Sequence, residues 1–223
     1  MAKKSRFPSL SAADQALRSR VLESVLQQVP FDGWTETAYA AALQQTGLAR
    51  AEAARLFPQG LRDLVEQFGA MADAAMQERI AAERGFTKFR VRDKVTFALR
   101  ARLEYLTPHR EAMRRLMTWY ALPHHMPLGV KRIYKTTDLI WIAAGDTATD
   151  TNFYTKRILL AGVLKATVLF WLSDESAGNQ ASWDFLDRRI ADVMKLGKSL
   201  SLLKEFKPAE IVDLVREKIR KVI

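Results

Sequence analysis

The sequence predicts an all-α protein, on three observations. Apolar residues recur at spacings of three and four in segment after segment, which is typical of one face of a helix. Pro and Gly residues separate those segments, and no neighbouring pair of alternating apolar and polar runs indicates a β-hairpin. The 223 residues, of which 48% are apolar and 27% charged, are enough for a single globular domain with a sizeable core.

The individual helices follow from their start and stop signals. Ser11 precedes Ala-Ala-Asp in a capping pattern, so the first helix is predicted at 11–29, ended by Pro30 and Gly33. Later helices are separated by the breakers Gly47, Pro58, Gly60, Gly85, Pro108, Pro123, Pro127, Gly178 and Pro208. They are predicted at about residues 35–46, 50–57, 61–83, 90–106, 109–121, 129–144, 151–173, 182–198 and 208–222. We expect an all-helical domain over residues 1–198, with a helix-turn-helix-like part at 11–65, and a tail helix within 199–223.

The predicted helix at 151–173 differs most from an ordinary surface helix. The segment that leads into it carries charged and aromatic residues, namely Asp146, Asp150, Phe153, Tyr154, Lys156 and Arg157. Eight of the ten residues from Ile158 to Thr167 are then apolar or Gly. A helix that is apolar nearly all round is expected to be buried or to line an apolar ligand site. We therefore predict an exposed polar and aromatic end and a buried apolar continuation.

The sequence lacks the motifs of several classes of enzyme. The chain has no cysteine, no Gly-rich phosphate loop and no nucleophile elbow, so we predict no catalytic residue, no cofactor and no enzymatic activity. Asp146 and Asp150 form a single carboxylate pair, and Asp150 is better placed as a cap of the helix that begins at Thr151. His124 and His125 fall in a predicted turn and His109 follows Pro108, without the spacing of metal ligands, so no metal site is predicted.

The net charge of +10 is concentrated in the middle of the chain. Residues 66–130 contain 11 basic and 7 acidic side chains, whereas residues 1–65 contain 8 and 6. A basic surface attracts any polyanion, so nucleic acid, anionic lipid and an acidic protein partner all stay open on charge alone.

The tail has the pattern of a basic amphipathic helix. Pro208 is suited to a first helical turn, and Glu210, Asp213 and Glu217 fall on the polar side. Such a helix lies in a membrane interface or docks on a protein, so packing on its own domain or on a dimer mate stays an alternative. The residues that would bind a membrane, the outcome that a family resemblance described below favours, are Leu203, Phe206, Ile211, Leu214, Val215, Ile219 and Val222.

The first three short helices, followed by RLFPQGLRDLVEQF, resemble the N-terminal helix-turn-helix of TetR-type regulators. That resemblance implies one function, a ligand-responsive DNA-binding transcription regulator. However, the segment 49–56 contains four Ala and one Glu, and residues 1–65 carry only a small excess of positive charge. Because affinity for DNA depends mainly on neutralised phosphates, DNA binding is kept as the alternative and is not expected.

Two motifs in the second half of the chain stand out. The first consists of Ala144, Gly145, Asp146, Asp150, Asn152, Tyr154, Thr155, Lys156 and Arg157, and the second is SWDFLDRRI at 182–190. Both resemble motifs of the Coq-nine family, the lipid-binding accessory proteins of ubiquinone (coenzyme Q) biosynthesis, and the likeness extends from about Val29 to Lys198. Phe153 departs from the family pattern, which favours Trp at this position, so the indole N–H donor is lost.

The resemblance implies a TetR-like fold that binds isoprenoid quinone intermediates and presents them to a membrane-associated di-iron hydroxylase. It further implies a homodimer, peripheral on the inner membrane of a bacterium or on the matrix side of a mitochondrion. A scaffold that binds the hydroxylase but no lipid is a third possibility. The implied lipid-lining residues are Leu99, Leu103, Leu106, Leu139, Ile142, Leu160, Leu164, Val168 and Trp171, a pattern that a filled core would share. The implied partner-binding residues are Asp146, Asp150, Phe153, Tyr154 and Arg157. The alternative is that Phe153 and Tyr154 pack against the start of the helix and that Arg157 pairs locally with Asp146 or Asp150.

Overall fold

The computed structural model of the protein describes residues 10–147 and 151–202, with the side chains of 151, 152 and 196–202 excepted. In these ranges the chain forms nine α-helices, three short 3-10 turns and no strand, which confirms the predicted all-α class. The helices are α1 Ala12–Asp32, α2 Glu36–Thr46, α3 Arg50–Leu56, α4 Leu61–Ala82, α5 Val91–Leu106, α6 Arg110–Ala121, α7 Met126–Ala144, α8 Thr151–Leu172 and α9 Gln180–Leu202.

The first helix begins where the sequence predicts and ends later. The hydroxyl of Ser11 accepts from the backbone of Asp14 while the Asp14 carboxylate accepts from the backbone of Ser11. The predicted stop at Pro30 is wrong, because the N–H of Gly33 still donates to the carbonyl of Val29, at 2.9 Å. Losing one backbone donor in the last turn is therefore tolerated, and Gly33 alone terminates the helix.

Two other boundaries also differ from the prediction. α7 begins at Met126 and takes Pro127 into its first turn, where a missing N–H leaves no bond unmade. α9 continues past the predicted end at Lys198 as far as Leu202. The predicted helix at 208–222 lies outside the described residues, so the membrane-binding role of its apolar positions, and of Leu203 and Phe206, stays a prediction.

The centre of the fold is α5, which contacts α4, α7 and α9. Its side chains Leu99, Leu103 and Leu106 are at most 1% exposed. α8 and α9 form an antiparallel pair. Phe170 stacks on Phe185 near one end, and Ile158 and Val193 line the same groove near the other. The beginning of α8 and the end of α9 consequently lie at the same end of the molecule.

The prediction that α8 is buried nearly all round is wrong. One face packs in the core, but the opposite face is open over four turns, because α7 and α9 cover only one side of the helix. Ile158 is 68% exposed and Leu169 is 49% exposed. The open face consists of Tyr154, Thr155, Ile158, Gly162, Lys165 and Leu169. Within the described residues, no helix combines the length and apolar content needed to cross a bilayer.

Candidate lipid and partner sites

Arg157 is the centre of a buried charge network at the junction of α7 and α8. Its guanidinium lies 2.7 Å from a carboxylate oxygen of Asp138 and 3.3 Å from one of Asp146. Nη1 also donates to the backbone carbonyl of Phe153, at 3.0 Å. The Arg157 side chain is 2% exposed, and its guanidinium carbon lies 3.3 Å from the centroid of the Phe153 ring. The network therefore fixes the first turns of α8 against the end of α7.

Lys156 and Trp141 extend this network. Nζ of Lys156 lies 2.6 Å from Oδ1 of Asp146 and 5.4 Å from the centroid of the Trp141 ring. The indole N–H of Trp141 donates to the backbone carbonyl of Lys156, at 3.2 Å. α7 ends at Gly145, whose φ of 86° is in the left-handed region that favours glycine. This turn brings Asp146 back, so that its N–H donates to the carbonyl of Trp141 at 2.9 Å.

The predicted exposed end of α8 is thus only partly exposed. Tyr154 is 61% exposed and Phe153 is partly buried, with their rings 5.1 Å apart. The side chains of Arg157 and Asp146 are 2% and 4% exposed, so the expectation that they face solvent is wrong. They are buried because each supplies the opposite charge that the other needs away from water. Asp150 lies outside the described residues.

An open cavity of about 350 Å³ lies beside the network, where α5 begins and α7 ends. Trp141 and Lys156 form one wall, and Val91 at the start of α5 forms another. The cavity is lined by Val91, Trp141, Ala144, Gly145, Asp146, Thr147 and Lys156.

Most of the predicted lipid-lining residues lie together in the core. Leu139 is partly buried at the edge of this cluster. Ile142 is 59% exposed, so the expectation that it faces the interior is wrong, because it lies on the outer side of α7. The remaining seven belong to one continuous apolar cluster on α5 and α8, and are Leu99, Leu103, Leu106, Leu160, Leu164, Val168 and Trp171.

A second charge cluster, which the sequence analysis missed, is buried between α4, α5 and α7. Nε of Arg102 lies 2.9 Å from Oδ1 of Asp73, and the hydroxyl of Thr136 donates to the same oxygen at 3.0 Å. The guanidinium of Arg132 contacts the other oxygen of Asp73. Burial lowers the pKa of Arg102 to about 10, so Arg102 stays charged at neutral pH, and burial also lowers the pKa of Arg132.

Gly69 makes room for this cluster. A Cβ atom at Gly69 would lie 2.8 Å from Cδ and 2.9 Å from Nε of Arg132. The sequence contained a usable signal, because Asp73 stands beside Ala72 on the apolar face of α4, and Arg102 stands beside Leu103 on a helix of buried residues. A charged residue in an apolar stripe is rarely buried unless it is paired, so the positions of Asp73 and Arg102 predict that each has an oppositely charged partner.

The histidines do not form a metal site in the described part of the chain, where no group of three or more metal-binding side chains converges. The ring of His125 stacks on Trp119 with centroids 3.5 Å apart, and His124 lies beside it. Burial lowers the pKa of His109, whose ring packs against Phe68.

The helix-turn-helix-like region uses part of its positive charge internally. Arg55 of α3 lies 2.6 Å from Asp14 of α1 and 3.6 Å from Glu52. The hydrogen bond from Arg55 lowers the pKa of Asp14 to about 2. Nη1 of Arg18 donates to the backbone carbonyl of Leu56, at 2.9 Å. These contacts hold α3 on α1 and leave Arg50 as its other cation.

Sequence relatives point to one family. The family model described as COQ9 matches residues 126–197. The ubiquinone biosynthesis protein COQ9, mitochondrial, of Drosophila melanogaster is 32% identical over 189 residues, which are 83% of this chain and 58% of that protein. The proteins of the same name from Bos taurus and Rattus norvegicus are 31% and 30% identical over 209 residues, or 91% of this chain. The chain covers 65% and 67% of their lengths.

Among solved structures, a TetR transcriptional regulator from Nitrosomonas europaea superposes with a TM-score of 0.61 at 18% identity. The superposition covers 79% of this chain and 97% of that one. At this level of identity the likeness establishes the fold alone, and it confirms the predicted TetR-like architecture. With a relative 30% identical over 91% of the chain and 67% of its own length, and with both motifs present, the protein belongs to the COQ9 family.

Proposed function

We propose that this protein is a non-enzymatic lipid-binding component of ubiquinone biosynthesis, which holds an isoprenoid quinone intermediate and presents it to a membrane-associated di-iron hydroxylase. Membership of the COQ9 family carries the proposal, because its relatives are named as ubiquinone biosynthesis proteins. The physical need is clear. Each CH₂ of an isoprenoid tail is worth about 0.8 kcal/mol when it is kept from water, so the tail leaves a bilayer only for another apolar environment.

The lipid site in this proposal is the apolar interior between α5 and α8. Leu103 of α5 and Leu164 and Val168 of α8 are each at most 3% exposed and belong to one cluster. Apolar side chains from facing helices are the usual lining of a ligand pocket. These residues support the proposal because an isoprenoid chain inserted between them would be surrounded by apolar side chains. The side chains would exchange contacts with one another for contacts with the lipid, so they would stay in an apolar environment.

The hydroxylase contact in this proposal is Tyr154 with its neighbour Ile158. Both side chains are more than 60% exposed and lie one turn apart on α8. Exposed Tyr beside apolar surface is typical of residues that anchor an interface. Arg157 and Asp146 contribute indirectly, by holding the turn that carries Tyr154.

The protein is proposed to act as a homodimer at a membrane surface. Leu169, three turns beyond Ile158 on the open face of α8, is 49% exposed, so apolar surface apart from the hydroxylase contact is available for a second copy. The predicted amphipathic tail would supply the membrane contact. The proposed location is the inner membrane surface of a bacterium, or the matrix side if the source is eukaryotic, as the relatives named mitochondrial suggest.

Native mass spectrometry of the purified full chain tests lipid binding. An isoprenoid quinone-type lipid should co-purify. Two neighbouring variants form a matched pair: Val168→Phe adds bulk at a position that is 3% exposed, whereas Leu169→Phe adds it at one that is 49% exposed. Val168→Phe should lower the lipid-bound fraction at least threefold at unchanged helicity, and Leu169→Phe should leave it unchanged. Absence of any isoprenoid lipid, or equal loading of both variants, contradicts the proposal.

A second candidate function is transcription regulation, which the fold of the Nitrosomonas europaea regulator favours. The contacts of α3 argue against DNA binding, because Arg55 forms an ion pair with Asp14 and Ala53 is buried. A nanomolar, sequence-specific complex with DNA at physiological salt would make regulation the better proposal.

A further inference from the structure

The turn between α4 and α5 is the most basic short segment of the described chain. Residues 84–94, called the basic turn below, contain five cationic residues and one acidic residue, Asp93. Four of the cations are exposed, whereas Lys94 is partly buried over the ring of Phe86. The exposed cations are Arg84, Lys88, Arg90 and Arg92. Neither the proposed lipid site nor the proposed partner contact uses them.

The basic turn is held by aromatic packing. Phe86 is 6% exposed, and its ring lies 5.9 Å from that of Phe89 and 5.8 Å from that of Phe97. Glu83 accepts a hydrogen bond from the backbone N–H of Gly85, at 3.2 Å, so this carboxylate closes the turn. The exposed cations therefore project from a fixed platform.

The position of two of these cations opposes helix stability. Arg90 is the N-cap of α5 and Arg92 lies in its first turn, with no side-chain hydrogen bond capping the helix. A cation near the positive end of a helix is unfavourable. The N-terminus of α5 and the guanidinium groups of Arg90 and Arg92 together create a region of positive potential. Such a region is suited to binding a phosphate group.

An apolar residue stands in the middle of these charges. Val91 is 45% exposed between Arg90 and Arg92, and Phe89 is partly buried beside them. Nucleic-acid backbones offer no apolar phase for such a side chain. The boundary between lipid headgroups and acyl chains does, because cations remain with the phosphates while short apolar side chains enter below them.

The basic turn lies at the end of the molecule from which the tail leaves. Nζ of Lys94 donates to the carbonyl of Ala144, at 3.5 Å, and Val91 shares a cavity with Lys156 near the start of α8. α9 runs antiparallel to α8 and reaches Leu202 nine residues beyond Val193, about 13 Å further toward this end. If the predicted tail enters a membrane close to Leu202, the basic turn lies beside that membrane.

From this arrangement we infer that the basic turn binds the phosphate headgroups of an anionic lipid bilayer, with Val91 at the level of the acyl chains. The inference rests on the membrane association in the proposed function and adds a second anchor, independent of the tail. Single weak anchors give only reversible membrane binding, and two together give stable attachment. Two anchors at one end also set the orientation of the domain on the bilayer.

Vesicle binding by matched variants of the full chain tests the inference. Lys88→Gln with Arg90→Gln removes two charges from the basic turn. Arg20→Gln with Arg50→Gln removes two exposed charges from α1 and α3. These helices meet near the first turns of α4, where Arg18 bonds Gln67 and the carbonyl of Leu56, whereas the basic turn follows the other end of α4. Both variants have the same net charge.

The probe is a phosphatidylcholine vesicle with 30% phosphatidylglycerol, at 0.15 M salt. The basic-turn variant should lose about thirty-fold in partition coefficient, since each cation near an anionic membrane contributes a few-fold. The control variant should lose less than threefold. Equal losses in the two variants overturn the inference, as does a loss of DNA binding without a loss of vesicle binding.

A labelling experiment separates failure of the inference from failure of the proposed membrane association. The chain has no cysteine, so Val91→Cys carries a single environment-sensitive fluorophore, and Arg50→Cys carries the same label as a control. On anionic vesicles, label 91 should shift to shorter wavelength and resist an aqueous quencher, while label 50 should not. Vesicle binding without any shift at 91 overturns only the inference. No vesicle binding by the wild-type chain overturns both.

Discussion

Replacing Arg157 by Ala is expected to destabilise the fold, and Tyr154→Ala is not. Removing one partner of a buried ion pair costs about 3–5 kcal/mol when the other charge is left without solvent. Here Asp146 keeps Lys156 at 2.6 Å, and Asp138 has a side chain that is 35% exposed to water. The cost should therefore fall below that range, at about 2–3 kcal/mol, and lower Tm by about 4–12 °C.

The comparison with Tyr154→Ala makes this prediction specific. Tyr154 is 61% exposed, so its truncation should cost less than about 0.5 kcal/mol in the free energy of unfolding. Urea titrations followed by circular dichroism measure both variants. Equal stability of the two would refute the structural role of Arg157.

Tyr154→Ala also tests the proposed hydroxylase contact, and it should lower the affinity for the hydroxylase at least tenfold. A variant that also carries Arg157→Glu would be unsuitable, because it would bury a third carboxylate beside Asp138 and Asp146.

Three further predictions concern other parts of the chain. Deleting residues 208–223 should lower co-sedimentation with anionic vesicles more than tenfold at unchanged thermal stability; full binding by the truncated chain would show that the tail is not an anchor. The full chain should bind DNA only weakly and without sequence preference in gel shifts, with binding lost as salt rises. Gly69→Ala should destabilise by about 1–3 kcal/mol, because its Cβ would meet Arg132, whereas Gly162→Ala, with open space around it, should stabilise by up to about 1 kcal/mol in thermal melts.

Local rules were sufficient for most of the helices. Ser11 and Asp14 form the predicted capping box, and Gly47 ends its helix as predicted, in the left-handed conformation that favours glycine. Two helix boundaries are predicted wrongly because a proline can either end a helix or lie within one of its terminal turns. The sequence predicts a helix break at Pro30 and at Pro127, but a proline is tolerated near either end of a helix, and the surrounding hydrogen bonds decide whether the helix continues.

The candidate site was predicted less well, because its charges are paired across the fold. Arg102 and Asp73 are 29 residues apart, and Arg157 and Asp138 are 19 apart, so neither pair has a short-range signature. The exposed face of α8 was missed for a related reason. Composition shows that a helix is apolar, but which side its neighbours cover depends on how many helices pack there.

The family motif at 144–157 contains both buried charged residues and an exposed aromatic residue. Asp146, Lys156 and Arg157 face inward or along the junction and neutralise one another, so their substitution affects stability first. Tyr154, three residues before Arg157, lies only about 60° away around the helix, yet its side chain is 61% exposed. The charged residues therefore hold in place the one described aromatic of the motif that is mostly exposed. A partner that contacts Tyr154 would meet a rigid surface, because the turn that presents it is fixed by a buried guanidinium.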